Sequence, residues 1–160
     1  MQLREPANRV SPRAKPYWAL SSGLGWLTVI AIQLALVIFI DDTPWWRWTA
    51  LGLSVVGLVV GVLVQPPIRY RIHRWEVTPT AVYTQSGWIS TARRVAPISR
   101  VQTVDTSRSG LQRVFGLSSV SVTTASSAGT MTIDCLDASV ADELVEHLTV
   151  VTEQSRDDAT

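Results

Sequence analysis

Hydrophobic and polar positions divide the chain into stretches of different period. From Tyr17 to Ile40 no charged residue occurs, and Leu, Ile, Val and Phe dominate. At about 1.5 Å per residue this run is long enough to cross a hydrocarbon core of about 30 Å. It is too long for the apolar region of a cleaved signal peptide. A second uncharged run, Thr49–Ile68, is expected to return antiparallel, its helix ending near Val64 because Pro66 and Pro67 follow. Asp41–Trp48, short and polar around Pro44, is the predicted turn between them. Ahead of both spans, Met1–Pro16 carries Arg4, Arg9, Arg13 and Lys15 among Pro6, Pro12 and Pro16, and reads as a basic, disordered arm.

From Arg69 onward the period falls to that of strands. Ile72–Thr78, Ala81–Gln85, Trp88–Ala96, Ile98–Thr106, Ser119–Ala125 and Thr130–Cys135 are the predicted strands, with turns at Thr78-Pro79-Thr80, Ser86-Gly87 and Ser126–Gly129. Met131, Ile133 and Cys135 are expected to point inward. The last element is helical. Asp137 is a suitable N-cap, and Ala141, Leu144, Val145 and Leu148 form one apolar stripe. The tail, 151–160, is polar and expected to be disordered. The architecture is therefore a basic arm (1–16), a transmembrane helical hairpin (17–68) and one small domain (69–150). The domain is an antiparallel sheet of about six or seven strands, a sandwich or barrel closed by a C-terminal helix, α+β and mainly β in class.

The net charge of +1 names no partner, but its distribution is uneven. Arg69–Arg113 holds eight arginines against Glu76 and Asp105, and Val114–Thr160 holds Arg156 against eight acids. Either these are two solvated faces, or the basic half faces anionic headgroups. Arg and Lys flank both outer ends of the spans, while the turn has Arg47 beside Asp41 and Asp42. The positive-inside rule then places both termini in the cytoplasm and the protein in the cell membrane, as a multi-pass chain. Trp45, Trp46 and Trp48 suit one interface, and Trp18 the other. Gly57 and Gly61 form a G-x-x-x-G spacing, and Ala31 and Ala35 a small-residue pair expected at the same depth. These faces either pack the hairpin on itself or offer a dimer interface.

Catalytic chemistry is not visible. Cys135 stands alone, which rules out an internal disulfide. His73 and His147 belong to no metal-ligand spacing, no nucleophile elbow or phosphate-cradling glycine pattern occurs, and no residue pattern asks for a cofactor. Nucleic acid is an unsuitable partner for a segment, 69–160, that is slightly acidic on balance. The polar residues that stand out are Arg100, Gln102 and Arg113. They either close local hydrogen bonds or form a docking surface with Arg93, Arg94 and Arg108.

Several segments carry a family resemblance: Trp75-Glu76-Val77-Thr78, Val82-Tyr83, Gly87, Pro97-Ile98-Ser99-Arg100-Val101-Gln102, Leu111-Gln112-Arg113-Val114-Phe115-Gly116-Leu117 and Thr124-Ala125. Together they resemble the bacterial pleckstrin-homology-like domain of the YdbS type, in which two membrane spans precede one such domain. Trp75, Pro97, Leu111, Phe115, Gly116 and Leu117 are then the signature of the fold. The resemblance implies two packed antiparallel sheets capped by a helix, and a role in membrane-associated scaffolding. It also implies a protein partner, either a related membrane protein with several such domains or another copy of the chain. Phosphoinositide-binding relatives carry basic residues in the first hairpin loop. Here that loop is the uncharged Thr78-Pro79-Thr80, so inositide capture there is not expected. The function expected is that of a membrane-anchored, non-catalytic interaction module, with anionic-lipid sensing by the Arg-rich half as the alternative.

Overall fold

A computed structural model describes residues 5–40, 44–125 and 129–157. Asp41–Thr43 and Ser126–Ala128, parts of two predicted turns, lie outside the described residues, as does Arg4 of the arm. The chain forms two compact units. One is Lys15–Ile68, and the other joins the segment ending at Ala14 to the segment beginning at Arg69.

The first unit is a helical hairpin. α1 spans Ala14–Phe39 and α2 spans Trp45–Val59. α2 continues through a π-helical turn, Val60–Val64, into α3, Gln65–Ile72. Both arms of the hairpin are long and apolar enough to cross a membrane. Their outer faces expose Leu24, Leu27, Ile32, Leu53, Val56 and Leu63. Two boundaries differ from expectation for one reason, the tolerance of a first helical turn for proline. Pro16 sits in the first turn of α1 without interrupting it. Pro66 and Pro67 sit in the first turn of α3, and the wide turn before them lets Gln65 N–H donate to Val60 O, so the helix continues past Val64.

A third boundary shifts the packing register. Pro44, extended at φ −63 and ψ 148, caps α2, so Trp45–Trp48 is its first turn rather than part of the loop. The residue opposite Gly57 and Gly61 is consequently Trp26, about one helical turn from the expected Ala31. A Cβ added at Gly57 would stand 2.5 Å from Trp26 Cζ2, and one at Gly61 would stand 3.3 Å from Trp26 Cδ1 and from Ser22 Cβ. Ser22 Oγ donates to Gln65 Oε1 at 3.0 Å beside this contact. Ala31 and Ala35 are exposed and take no part in it. The glycine pair therefore packs the hairpin on itself.

The second unit contains seven antiparallel strands. β1 is Asn8–Arg9, β2 Arg74–Val77, β3 Ala81–Gly87 and β4 Thr91–Pro97, hydrogen-bonded in that order. A 3-10 turn, Ile98–Arg100, leads to the second sheet of β5 (Val101–Ser107), β6 (Leu117–Thr124) and β7 (Thr130–Asp137). A short helix, α4 (Gly110–Val114), connects β5 to β6, and α5 runs over Ala138–Asp157. The inner faces of both sheets supply the core: Val82 and Ala96 from the first, Val120, Val122, Met131 and Ile133 from the second. Ala141, Leu144 and Leu148 of α5 close it, as their spacing requires. The predicted fold class is therefore observed, with six strands near their expected positions and β1 as the seventh.

The arm departs furthest from expectation, because it is ordered. β1 pairs Asn8 with Trp75 and Arg9 with Arg74. Ser11 N–H donates to Cys135 O at 3.0 Å, Ser11 Oγ donates to Asp137 Oδ1 at 2.8 Å, and Val10 is buried. Cys135 has φ 59 at a bulge in β7, where the register against β6 shifts. A non-glycine residue there costs about 1–2 kcal/mol, which its burial and the Ser11 bond offset. At the other end of the chain α5 reaches Asp157, into the tail expected to be disordered.

Candidate functional site

The segment from Pro97 to Thr124 turns the chain from one sheet to the other, and its polar residues divide into those the fold uses and those it leaves free. Pro97, φ −61, starts the 3-10 turn, and Ala125 N–H closes on Arg100 O at 2.9 Å. The β5–β6 register shifts between Val101 and Thr103, which makes Gln102 the extra residue of a β-bulge. A bulge re-aims one side chain away from the ladder. Gln102 and its neighbour Arg100 are exposed, and neither side chain has a partner among the described residues.

Beyond β5, Ser109 and Gln112 form a capping box. Ser109 Oγ accepts from Gln112 N–H at 3.1 Å, and Gln112 Oε1 accepts from Ser109 N–H at 2.9 Å. Buried Gln112 spends its remaining donor on Ser119 Oγ at 2.9 Å. That explains why Ser119 is buried although alternation places it outward. Leu111 and Phe115 are half-buried, Leu117 is fully buried, and Gly116 turns the corner at φ +66. Half-buried Trp75 packs on the core. Replacing Gln112 with Leu should destabilise the domain by about 1–3 kcal/mol, since it removes one cap and leaves Ser119 Oγ buried without its donor. Urea unfolding of the detergent-solubilised chain measures this, and an unchanged midpoint would refute the role.

The other proposed surface residues are dispersed. Arg93 and Arg94 point to opposite faces of β4. Arg93 Nε donates to Gln85 Oε1 at 3.0 Å and its guanidinium lies 3.9 Å from Glu5. Arg94, on the core side, reaches across to Thr130 O at 3.2 Å. Arg108 forks onto Asp142 at 3.2 and 3.3 Å. Arg113 is exposed on α4. Arg100 and Arg113 lie beyond opposite ends of β5, a strand roughly 20 Å long at about 3.4 Å per residue. One continuous six-residue patch does not form.

No group of three His, Cys, Asp or Glu able to hold a metal occurs among the described residues. Buried His73, just after α3, places Nδ1 2.9 Å from Arg69 O and accepts from Arg69 Nε at Nε2, 3.4 Å away. Burial, and then the Arg69 charge, lower its pKa, against the backbone bond and Asp134. An open groove of about 530 Å³ lies between Ser11–Arg13, Gly116 and the start of α5. Its one carboxylate, Asp137, is already engaged by Ser11 and lies 3.8 Å from Arg13. In the hairpin, Trp45, Trp46 and Trp48 are exposed while Trp18 is buried.

Two features escaped the sequence reading. One is the docked arm, whose two-residue strand is too short to show a period. The other is the β3–β4 connection. Trp88 and Ile89, assigned to a strand, instead form the hairpin tip, with Ile89 82% exposed. The turn itself was expected at Ser86-Gly87, and Gly87 takes φ +136 there, but an apolar pair next to it reads equally as the start of a strand.

The family model described as bacterial PH domain matches residues 22–150. The transmembrane protein YdbS of Bacillus subtilis (strain 168) is 31% identical over 159 residues, covering 96% of this chain and 98% of that protein. No solved structure matches the chain.

Proposed function

The chain belongs to the bacterial PH domain family, and on that premise we propose that it is a membrane-anchored, non-catalytic module whose domain docks a protein partner at the cytoplasmic face of the cell membrane. The observation that carries the anchoring is the pairing of β1 with β2. The strand before the hairpin and the strand after it share one sheet, so both ends of the hairpin emerge on one side of the bilayer. Arg9 and Arg13 before α1 and Lys15 in its first turn, with Arg69 and Arg71 in α3 and Arg74 at the start of β2, favour the cytoplasm as that side.

Docking is supported by Arg100 and Gln102, exposed at the bulge of the edge strand β5 and left unpaired by the fold. The partner is a related membrane protein or a second copy. As a broad Arg-rich face the lipid alternative draws less support, because Arg108 is paired with Asp142 within the domain. A photo-crosslinking residue at Gln102 in intact cells should give one discrete protein adduct. Arg100→Glu should reduce its yield by about an order of magnitude without changing the melting temperature, because a reversed charge at an interface costs more than its removal. No adduct, or one indifferent to the reversal, would refute the docking surface. A C-terminal reporter active only outside the cell would refute the orientation.

A further inference from the structure

The tip of the β3–β4 hairpin has a composition unlike that of an ordinary turn. Ile89 is 82% exposed and Trp88 36% exposed, side by side between Ser86-Gly87 and Ser90. The tip is also fixed in shape. Gly87 takes φ +136, and a Cβ added there would lie 1.8 Å from Ser90 O, so the connection closes tightly on itself and drives the two apolar side chains outward. A chain that exposes two large apolar residues on a pre-shaped tip loses little conformational freedom when they are buried.

Charge selects the environment that would bury them. No acid occurs between Glu76 and Asp105, whereas Arg93, Arg94 and Arg100 do. Arg93 and Arg94 come two and three residues into β4. At about 3.4 Å per residue they stand roughly 7–10 Å behind the tip. That matches the depth of about 5–10 Å to which interfacial apolar side chains sink below headgroups. Arg94 donates to a backbone carbonyl and so keeps its positive charge, while Arg93 donates to the neutral Gln85 amide with Glu5 at 3.9 Å. Tryptophan suits this boundary, because its ring sits among acyl chains while its N–H stays wet.

We propose that Trp88 and Ile89 form a wedge that seats in the anionic bilayer surface, with Arg93 and Arg94 at headgroup height. The site differs from the uncharged Thr78-Pro79-Thr80 loop and takes no particular headgroup; it recognises an apolar layer under negative charge. The inference rests on the chain's anchorage in a membrane and not on the protein-docking surface, which lies at the bulge of β5.

The test uses the full chain in nanodiscs of phosphatidylcholine alone or mixed with phosphatidylglycerol. Ile89→Cys carries an environment-sensitive fluorophore, and the native Cys135, 1% exposed, stays unreactive. Thr103→Cys, on exposed β5, is the reference site. The wedge predicts blue-shifted emission at position 89 and quenching by lipids spin-labelled near the headgroup, neither of which occurs at position 103. Omitting phosphatidylglycerol should weaken insertion by about fivefold for each arginine engaged. Water-like, unquenched emission at position 89 in both discs would overturn the proposal. Blue-shifted emission that labelled lipid cannot quench would overturn it as well, since the tip would then be buried against protein.

Discussion

Gly57→Leu should separate the two spans where they pack most closely. The Trp26 ring lies flat against the missing side chain, with Cζ2, Cη2 and Cε2 at 2.5, 2.6 and 2.8 Å from a Cβ built at Gly57. A Cβ built at Gly61 would stand 3.3 Å from Cδ1 and Nε1 of the same ring, so the indole lies along this face of the helix at both glycines. Overpacking of this kind costs about 1–3 kcal/mol. Lipid tails are as apolar as the spans, so no hydrophobic force compensates for lost contact. Crosslinking reads the result. A Cβ at Gly23 would stand 3.4 Å from Val62 Cγ2, so a cysteine pair at Gly23 and Val62 should oxidise readily in the parent chain and poorly with Gly57→Leu. Trp26→Ala should restore the yield, as contacting residues couple. If crosslinking persists without that second substitution, the spans pack elsewhere.

Leu148→Ala should cost the domain about 2–5 kcal/mol. Leu148 is completely buried and meets the cluster built from Val82, Ile98, Val101, Val120 and Met131. It lies late in α5, beyond Ala141 and Leu144, so it shows whether the helix closes the sheets along its length. A small domain has a total stability of about 5–15 kcal/mol, and the loss is a large share of that. Calorimetry of the detergent-solubilised chain should show a lower-melting transition. Val150→Ala, two residues on and exposed, should stay within about 0.5 kcal/mol of the parent. Equal effects at the two positions would mean that α5 does not pack as described.

The half-buried strands were legible because each side of a strand meets a different solvent, so alternation at Val120 and Val122 or Met131 and Ile133 reports the inward face directly. The bulges were not, because they break that alternation. Val101 and Val104 both turn to the core three positions apart, and Cys135 and Leu136 are adjacent yet both buried. The capping box is present as Ser109 followed three places later by Gln112, although the helix that it starts is too short to show a period. Hairpin register was not legible to within a turn, because Trp45, Trp46 and Trp48 serve equally as an interfacial loop or as the start of a helix. Nor were the arginine partners legible. Arg108 meets an acid on another element, and Arg94 meets a backbone carbonyl, which no side-chain pattern marks. The candidate surface narrows for that reason from six residues to the pair at the β5 bulge, with Arg113 standing apart.

The pairing of Asn8 with Trp75 also sets an order of events during synthesis. The first strand of the sheet leaves the ribosome before either span, and its partner only after both. If only the first span crossed and the rest of the chain followed it through, β1 and β2 would lie on opposite sides of the membrane and the edge of β2 would stay open. A chain that stalled with one span inserted would carry an incomplete sheet with an exposed strand edge, the kind of surface that invites misassembly. Closing that edge thus records that insertion of the hairpin is complete.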